Sequence, residues 1–241
     1  MKRIFSVVFW IMLSGTTLAQ QPFAVAELFT SEGCNTCPPA ERLLSELKAE
    51  AEKNKQNIYF LEYHVDYWNR LGWKDPFSKN QFTLRQENYS RVLPGKELYT
   101  PQLVINGETE LNGSDKKAAQ EKIQKALGKK PATSITIESQ QIRNDTLWVA
   151  YTVDKADKNS SIKIAITEDR LESKISRGEN EGKKLVHDAV VRIFYSSQSA
   201  ESKGSIPIPL KGFVPKKGMQ LIALMQQKQT MKILGVSRII L

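Results

Sequence analysis

The chain has 241 residues, a formal net charge of +9 and 40% hydrophobic residues, which is enough to bury a core and more naturally fills two domains than one. Its lysines are interspersed with acids and no arginine-rich run or basic stripe occurs, so the charge argues for solubility and against a nucleic-acid partner. With two cysteines in all, a four-cysteine zinc site is excluded.

The first 19 residues read as a secretory signal peptide. Lys2 and Arg3 form a basic start, Ile4 to Leu13 is an almost unbroken apolar run, and Thr17-Leu18-Ala19 supplies the small residues of a cleavage site after Ala19. The apolar run falls short of the ~20 residues that a membrane-spanning helix needs. No cysteine follows the cleavage point to carry a lipid. Loss of Lys2 and Arg3 would lower the net charge by two, to +7. Nothing later reads as a membrane span, so the expectation is an exported protein, periplasmic or secreted, without a stable membrane span. Its two cysteines would then meet an oxidising compartment.

The next stretch organises the chain. Phe23 to Phe29 has strand length and ends in turn-prone Thr30 to Gly33. Cys34 and Cys37 follow, then Pro38 and Pro39, which suit a first helical turn. Ala40, Leu43, Leu44, Leu47 and Ala51 recur at helical spacing to about Asn54, with Glu41, Arg42, Glu46, Lys48 and Glu50 on the other side. Unpaired N–H groups and the dipole at a helix start favour a thiolate, and a lowered thiol pKa makes it nucleophilic.

Ile58 to Val65 is aromatic and β-branched, a candidate central strand. Asp66 to Thr100 is irregular, with a helix expected to start at Asp75-Pro76, to include Phe82, Arg85, Gln86 and Tyr89, and to end near Pro94-Gly95. Gln102 to Ile105 and Glu108 to Leu111 flank Asn106-Gly107, the strongest local hairpin signal. Ser114 and Asp115 can cap a helix through Ala126, with Gly128 past its end.

The order strand, Cys-x-x-Cys, helix, strand, helical insert, X-Pro, hairpin, helix resembles thioredoxin-like proteins. More narrowly, Glu27 to Glu41, reading Glu-Leu-Phe-Thr-Ser-Glu-Gly-Cys-Asn-Thr-Cys-Pro-Pro-Ala-Glu, resembles the signature of a family of secreted bacterial proteins of unknown function, DUF1223. The segment His64 to Phe77 also resembles that family's pattern. The resemblance implies a fold and a redox-like motif and no established substrate.

Lys129-Lys130-Pro131 marks a boundary. Beyond it Ser134–Ser139, Thr146–Val153, Ser161–Thr167, Val186–Tyr195, Gly204–Leu210, Met219–Gln226 and Met231–Leu241 read as strands, with Glu168 to Leu185 a long polar loop. Short strands with little helix suggest an antiparallel sandwich. The expected architecture is therefore a signal peptide over 1–19, an α/β, thioredoxin-like domain with a helical insert over 20–130, and an all-β, sandwich-like domain over 131–241.

Cys34 is the candidate nucleophile, at the turn where a thiolate is best exposed, and Cys37 the resolving thiol; dithiol exchange needs both. The alternatives are a zinc half-site and an inert pair. The resemblance implies that Pro101 is a cis-proline facing the pair, with Thr100 before it at the substrate side. It also implies that Glu27 is a buried acid passing a proton to the resolving cysteine; the competing readings are a carboxylate paired with a nearby lysine and one facing solvent at a sheet edge. If the central strand continues, His64, Asp66 and Trp68 share one face near its carboxyl end, where open α/β sheets place ligands, so they are candidate substrate contacts. Tyr67, Trp68, Trp73 and Phe77 either line a groove or pack the insert onto the sheet. Arg177, Glu179, Asn180 and His187 come from the long loop of the second half, which reads first as a disordered surface loop; the alternative is that it reaches over the cysteine end as part of a domain-interface pocket.

The expected function is thiol–disulfide exchange with protein thiols or disulfides and an unidentified redox partner, without a cofactor. The alternatives are a metal-handling protein using Cys34, Cys37 and His64, and a non-catalytic binding module.

Overall fold

The structure is a computed structural model that describes residues 21–95 and 97–241; the expected signal peptide lies outside these residues. The first strand, β1 (Ala24–Thr30), is buried along its whole length. It runs through the cysteine turn into α1 (Pro38–Lys53), which begins with two prolines where the missing N–H groups cost nothing. The next strand, β2 (Ile58–His64), is parallel to β1, from Ala24 opposite Ile58 to Thr30 opposite His64. A single 3-10 turn (Asn69–Leu71) and α2 (Asn80–Val92) form the insert.

Antiparallel to β1 lies β3 (Gln102–Ile105), which joins β4 (Thr109–Asn112) through Asn106 and Gly107. Their φ values of 51° and 65° are the left-handed pair that a tight hairpin turn requires. The third helix, α3 (Lys116–Leu127), is capped by the Asp115 carboxylate, which accepts from the Ala118 N–H at 3.0 Å. The insert helix starts later than Asp75-Pro76 suggests. Asp75 accepts instead from the backbone N–H groups of Glu32 and Phe77 at 2.9 Å each, so it closes a buried turn before the helix.

The second half supplies β5 (Ile135–Arg143), β6 (Thr146–Val153), β7 (Ser160–Glu168), β8 (Leu171–Lys174), β9 (Lys184–His187), β10 (Val190–Ser196), β11 (Lys203–Pro209), β12 (Gln220–Gln227) and β13 (Ile233–Ile240). Among the described residues one eight-stranded sheet has the order β13-β12-β7-β10-β2-β1-β3-β4, and β11-β6-β5 forms a smaller sheet. The two sheets pack through Ile137, Leu147, Val149 and Ile206 on one side and Ile162, Ile164, Leu221 and Ala223 on the other. A sandwich-like pairing of layers is therefore present. Its larger layer, however, continues into the first half, because β10 pairs in parallel with β2 at Val190 and Glu62. The segment read as the long polar loop Glu168 to Leu185 contains the β8–β9 hairpin, and the expected strand Val186–Tyr195 breaks at Asp188-Ala189, where Ala189 has φ 57°.

Alternation along the strands divides the first half. Ala24, Ala26 and Leu28 of β1 and Ile58 and Phe60 of β2 pack against α1 and α3. Val25, Phe29, Leu61 and Tyr63 pack on the other face with Phe82 and Tyr89 of α2. Each fully buried Leu or Phe here contributes about 1.5–3 kcal/mol. By the same alternation Glu62 and His64 lie on the α1 face and Glu27 on the α2 face.

Candidate functional site

Cys34 and Cys37 form a disulfide across a Cα–Cα distance of 5.4 Å at the start of α1. The loop that carries them is held by backbone bonds from Cys34 N to Ser31 O (3.0 Å) and from Cys37 N to Cys34 O (3.2 Å). The Thr100–Pro101 peptide is cis, as the resemblance implies, and stands beside the disulfide: Thr100 O is 3.9 Å from Cys34 Sγ and 3.5 Å from Thr36 Oγ1. Trp68 donates its Nε1–H to Thr100 Oγ1 at 2.8 Å. A Cβ on Gly33 would stand 3.2 Å from Trp68 Cβ, so glycine there lets the indole close in.

The expectation of an exposed Cys34 is corrected. Neither cysteine has any exposed surface. The turn between β8 and β9 is tied to the cysteine turn: Asn180 Nδ2 donates to Glu32 O (2.8 Å) and Cys34 O (2.9 Å), and Asn35 N–H donates to Glu179 Oε2 at 3.2 Å. Gly178 and Gly182, with φ near 80°, shape that turn. Arg177 is exposed and takes no part.

Glu27 is also corrected. Its carboxylate accepts from Arg85 Nε at 2.8 Å and from the Tyr89 hydroxyl, on the sheet face away from α1. Both oxygens are committed, so Glu27 is a paired acid, with Arg85 in place of the lysine that the competing reading named, and does not stand behind Cys37. Asp66 and Trp68 do not continue the face of His64, because β2 ends at His64 and the chain turns. Asp66 is tied to Thr83 of α2, whose hydroxyl donates to Asp66 Oδ1 at 2.6 Å. The aromatic residues pack the insert down: Tyr67 donates to Gln86, Trp73 Nε1–H donates to Glu32 Oε2 at 2.7 Å, and Phe77 lies edge-on to both histidine rings.

Directly beneath the disulfide loop lies a cluster that the sequence reading did not assemble. It contains both histidines of the chain, His64 and His187, with centroids 4.8 Å apart, and four acids, Glu32, Glu41, Glu62 and Asp75. All six are at most 2% exposed. Five segments bring them together, Asp75 coming from the insert before α2. Glu32 sits in the cysteine turn and Glu41 is one helical turn beyond Cys37 on α1. Glu62 and His64 share the inner face of β2. His187 ends β9, two residues before the Ala189 carbonyl that accepts from Glu62 N–H at 2.9 Å.

His64 Nδ1 faces Asp75 Oδ2 at 2.7 Å and Nε2 faces Glu62 Oε1 at 2.9 Å. His187 Nε2 faces Glu32 Oε1 at 3.1 Å, and Nδ1 stands 3.1 Å from Glu62 Oε1 and 3.6 Å from Glu41 Oε2. Glu41 Oε1 accepts from the Thr30 hydroxyl at 2.6 Å. Two atoms have no hydrogen-bond partner, Glu62 Oε2 and His187 Nδ1; the Nδ1 contact to Glu62 is close but out of line. An unmet buried polar atom costs about 1–3 kcal/mol.

The electrostatics follow from crowding. Burial disfavours both imidazolium ions, yet the surrounding carboxylates outweigh it. Asp75 and then Glu62 hold His64 well above its ordinary value, and the hydrogen bond with Glu32 together with the adjacent Glu62 carboxylate raises His187 to about 10. Burial pushes Glu41 up to about 7, against the pull of His187 and with Glu62 adding repulsion. Burial would raise Glu62 and Asp75 too, but the histidines bring both below the usual carboxylate range. Four carboxylates against two imidazolium ions leave an excess of two negative charges in the interior, or one with Glu41 protonated.

The cysteine–histidine ligand set considered for metal handling is not assembled. The sulfurs are bonded to each other. Glu32, Glu41, Glu62 and Asp75 are the residues that sequence reading missed. Glu62 had a signal, a lone acid in an aromatic strand. Glu41, read as part of the outer side of α1, is in fact buried, one turn from Cys37.

Fold and site thus define an α/β protein with a disulfide at a helix start and a cis-proline beside it. The chain belongs to the family described as "Protein of unknown function (DUF1223)", whose model matches residues 25–226. No curated protein matches it. A crystal structure of a protein from Agrobacterium tumefaciens is similar at 25% identity and a TM-score of 0.66, covering 92% of this chain and 96% of that one. A β-glucosidase from Kluyveromyces marxianus aligns over 46% of this chain and 14% of its own at 15% identity, with a TM-score of 0.23, too low to carry any inference. No helix among the described residues is long and apolar enough to cross a membrane.

Proposed function

We propose that this protein is an exported, thioredoxin-like thiol–disulfide oxidoreductase acting on partner proteins in the periplasm or outside the cell. The observation that carries the reading is the Cys34–Cys37 disulfide at the start of α1 with cis-Pro101 beside it. The sheet order β2-β1-β3-β4, with helices after β1 and β4, agrees with a thioredoxin-like first half, and the basic-then-apolar start of the chain supports export.

In the oxidised protein a partner thiolate attacks the Cys34 sulfur and Cys37 leaves as a thiolate. A second partner thiol, as thiolate, then attacks the partner's sulfur in the mixed disulfide and releases Cys34. The partner gains a disulfide and the pair is reduced; the reverse sequence reduces a partner disulfide, with the direction set by the two potentials. Thr100 and Trp68 border the sulfur that is attacked. Because both sulfurs are covered, exchange requires the Glu179-Asn180 turn to lift from Asn35 and Cys34.

The test is Cys37→Ala in the full chain, produced in the compartment of export. Expected is a set of mixed disulfides on Cys34 that disappear on reduction and are absent in Cys34→Ser. No trapped species, together with no exchange between the native protein and glutathione under mild conditions, would overturn the reading.

A further inference from the structure

We propose that Glu62, His64, His187 and Glu41 form a buried site for one divalent transition-metal ion of the zinc class, with two imidazole nitrogens and two carboxylates as ligands. The site contains no sulfur and is independent of the redox reading.

The first argument is the direction of the ring nitrogens. Each histidine spends one nitrogen on an outer carboxylate: His64 Nδ1–H on Asp75 at 2.7 Å and His187 Nε2–H on Glu32 at 3.1 Å. The other nitrogen of each ring lies close to the same atom, Glu62 Oε1: His64 Nε2 in hydrogen-bond contact at 2.9 Å, and His187 Nδ1 at 3.1 Å without a hydrogen bond. A carboxylate behind a histidine is how proteins fix the tautomer and orientation of a metal-ligating ring, and here the arrangement occurs twice around one point.

The second argument is the pair of orphaned atoms. Glu62 Oε2 and His187 Nδ1 are fully buried and without a hydrogen-bond partner, and both belong to inner ligands. The outer residues Asp75 and Glu32 are satisfied, Asp75 by the N–H groups of Glu32 and Phe77 and Glu32 by Trp73. Within the six-residue cluster the atoms without a partner therefore belong only to the inner residues.

The third argument is size. Tetrahedral ligands at about 2.0–2.1 Å from zinc stand roughly 3.4 Å apart. The inner contacts are 2.9 Å from Glu62 to His64, 3.1 Å from Glu62 to His187 and 3.6 Å from His187 to Glu41, which bracket that spacing. The ligand atoms of Glu62, His64 and His187 all fall within 4.8 Å of one another, so the widest gap closes as the side chains draw onto the ion. The fourth ligand is already oriented by Thr30, which donates to the far oxygen of Glu41 at 2.6 Å. Nitrogen with carboxylate suits zinc, and also iron(II), cobalt(II) and manganese(II), better than magnesium or calcium. The ion would replace the protons held between the rings and Glu62, so binding releases protons.

The test uses the full mature chain with its disulfide intact, stripped with a chelator and titrated with Zn²⁺ and with Co²⁺. Expected is one ion per chain at micromolar affinity or tighter, a rise in Tm with Zn²⁺, and a Co²⁺ spectrum without a thiolate charge-transfer band. His187→Ala and Glu62→Gln should weaken binding at least ~100-fold, and Asp75→Asn, which acts only by positioning His64, about 10–100-fold. Cys34→Ser/Cys37→Ser should bind as the wild type does. If the ligand variants do not fold, X-ray absorption at the zinc edge of the wild type decides: a shell of nitrogen and oxygen at about 2.0 Å supports the site, and sulfur at about 2.3 Å overturns it. No stoichiometric binding by the wild type, or binding unchanged in both folded ligand variants, overturns it as well. Neither outcome touches the trapping result at Cys34, so the two readings fail separately.

Discussion

Two buried charged networks lie on opposite faces of β1 and β2. On the α2 face Glu27 meets Arg85, whose Nη1–H donates to Gln226 at 3.1 Å and whose Nη2–H donates to Tyr89 at 3.0 Å. Tyr63, Tyr89 and Phe194 surround the guanidinium with their rings. One acid faces one base and each carboxylate oxygen has a donor, while the buried Tyr63 hydroxyl beside them has no partner. On the α1 face four acids face two histidines, and two buried atoms have no partner. A closed network of buried charge holds a fold in one arrangement. An open one, with a carboxylate oxygen and a ring nitrogen of two adjacent residues unmet, is expensive as pure structure. The cysteines sit at the end of the open network, with Glu32 in their own turn and Glu41 one helical turn away.

The closed network gives the largest expected effect. Arg85→Met leaves Glu27 buried without its counter-ion, and should cost about 3–5 kcal/mol in urea unfolding. Adding Glu27→Leu should recover much of that loss, because the double variant no longer buries a lone charge. If the two losses simply add, Arg85 stabilises by packing alone and the pairing argument fails. Tyr89→Phe comes next. It removes the donor to one Glu27 oxygen and an acceptor of Arg85, and about 1–3 kcal/mol should be lost.

How far each network could be read from the residues follows the same division. The cysteine turn, the proline beside it and the hairpin at Asn106-Gly107 are local, and local patterns are legible. Arg85 and Gln86 fell on the helical period of Phe82 and Tyr89, so their inward direction was legible. Their partners were not, since Glu27 is 58 residues from Arg85 and Gln226 is 141 away. Glu41 was placed on the outer side of α1 because charge usually marks solvent, and α1 is covered there by the β8–β9 hairpin. That hairpin was read as a loop for a physical reason: apart from Ile175 and Leu185 its buried residues are Ser173, Asn180 and His187, which leave no apolar alternation. A polar element that buries itself against other polar residues is invisible to a hydrophobic pattern. The continuity of the large sheet was hidden likewise, because β10 joins β2 at a single pair.

The cover over the disulfide ranks next. Asn180→Ala removes two hydrogen bonds to the Glu32 and Cys34 carbonyls, worth about 1–2 kcal/mol together. Because they hold a turn and not the core, the loss should show as local opening more than as global instability. Reduction of the disulfide by dithiothreitol, followed under native conditions, should become about 5–30-fold faster. An unchanged rate would mean that the turn is not what limits access to the sulfurs.

The smallest effect is the most discriminating. Glu27→Gln and Glu41→Gln are the same chemical change at two buried glutamates, and they should differ in size. Glu27→Gln leaves the Arg85 guanidinium without a carboxylate and should cost about 3–5 kcal/mol. Glu41→Gln removes one negative charge from a cluster that has too many, and keeps an oxygen for the Thr30 hydroxyl. In chelator-stripped protein its unfolding free energy should stay within about 1 kcal/mol of the wild type. A loss above ~3 kcal/mol would make Glu41 a member of a closed network like that of Glu27. The excess charge would then be a feature of the fold, and the difference between the two faces would no longer point to chemistry on one of them.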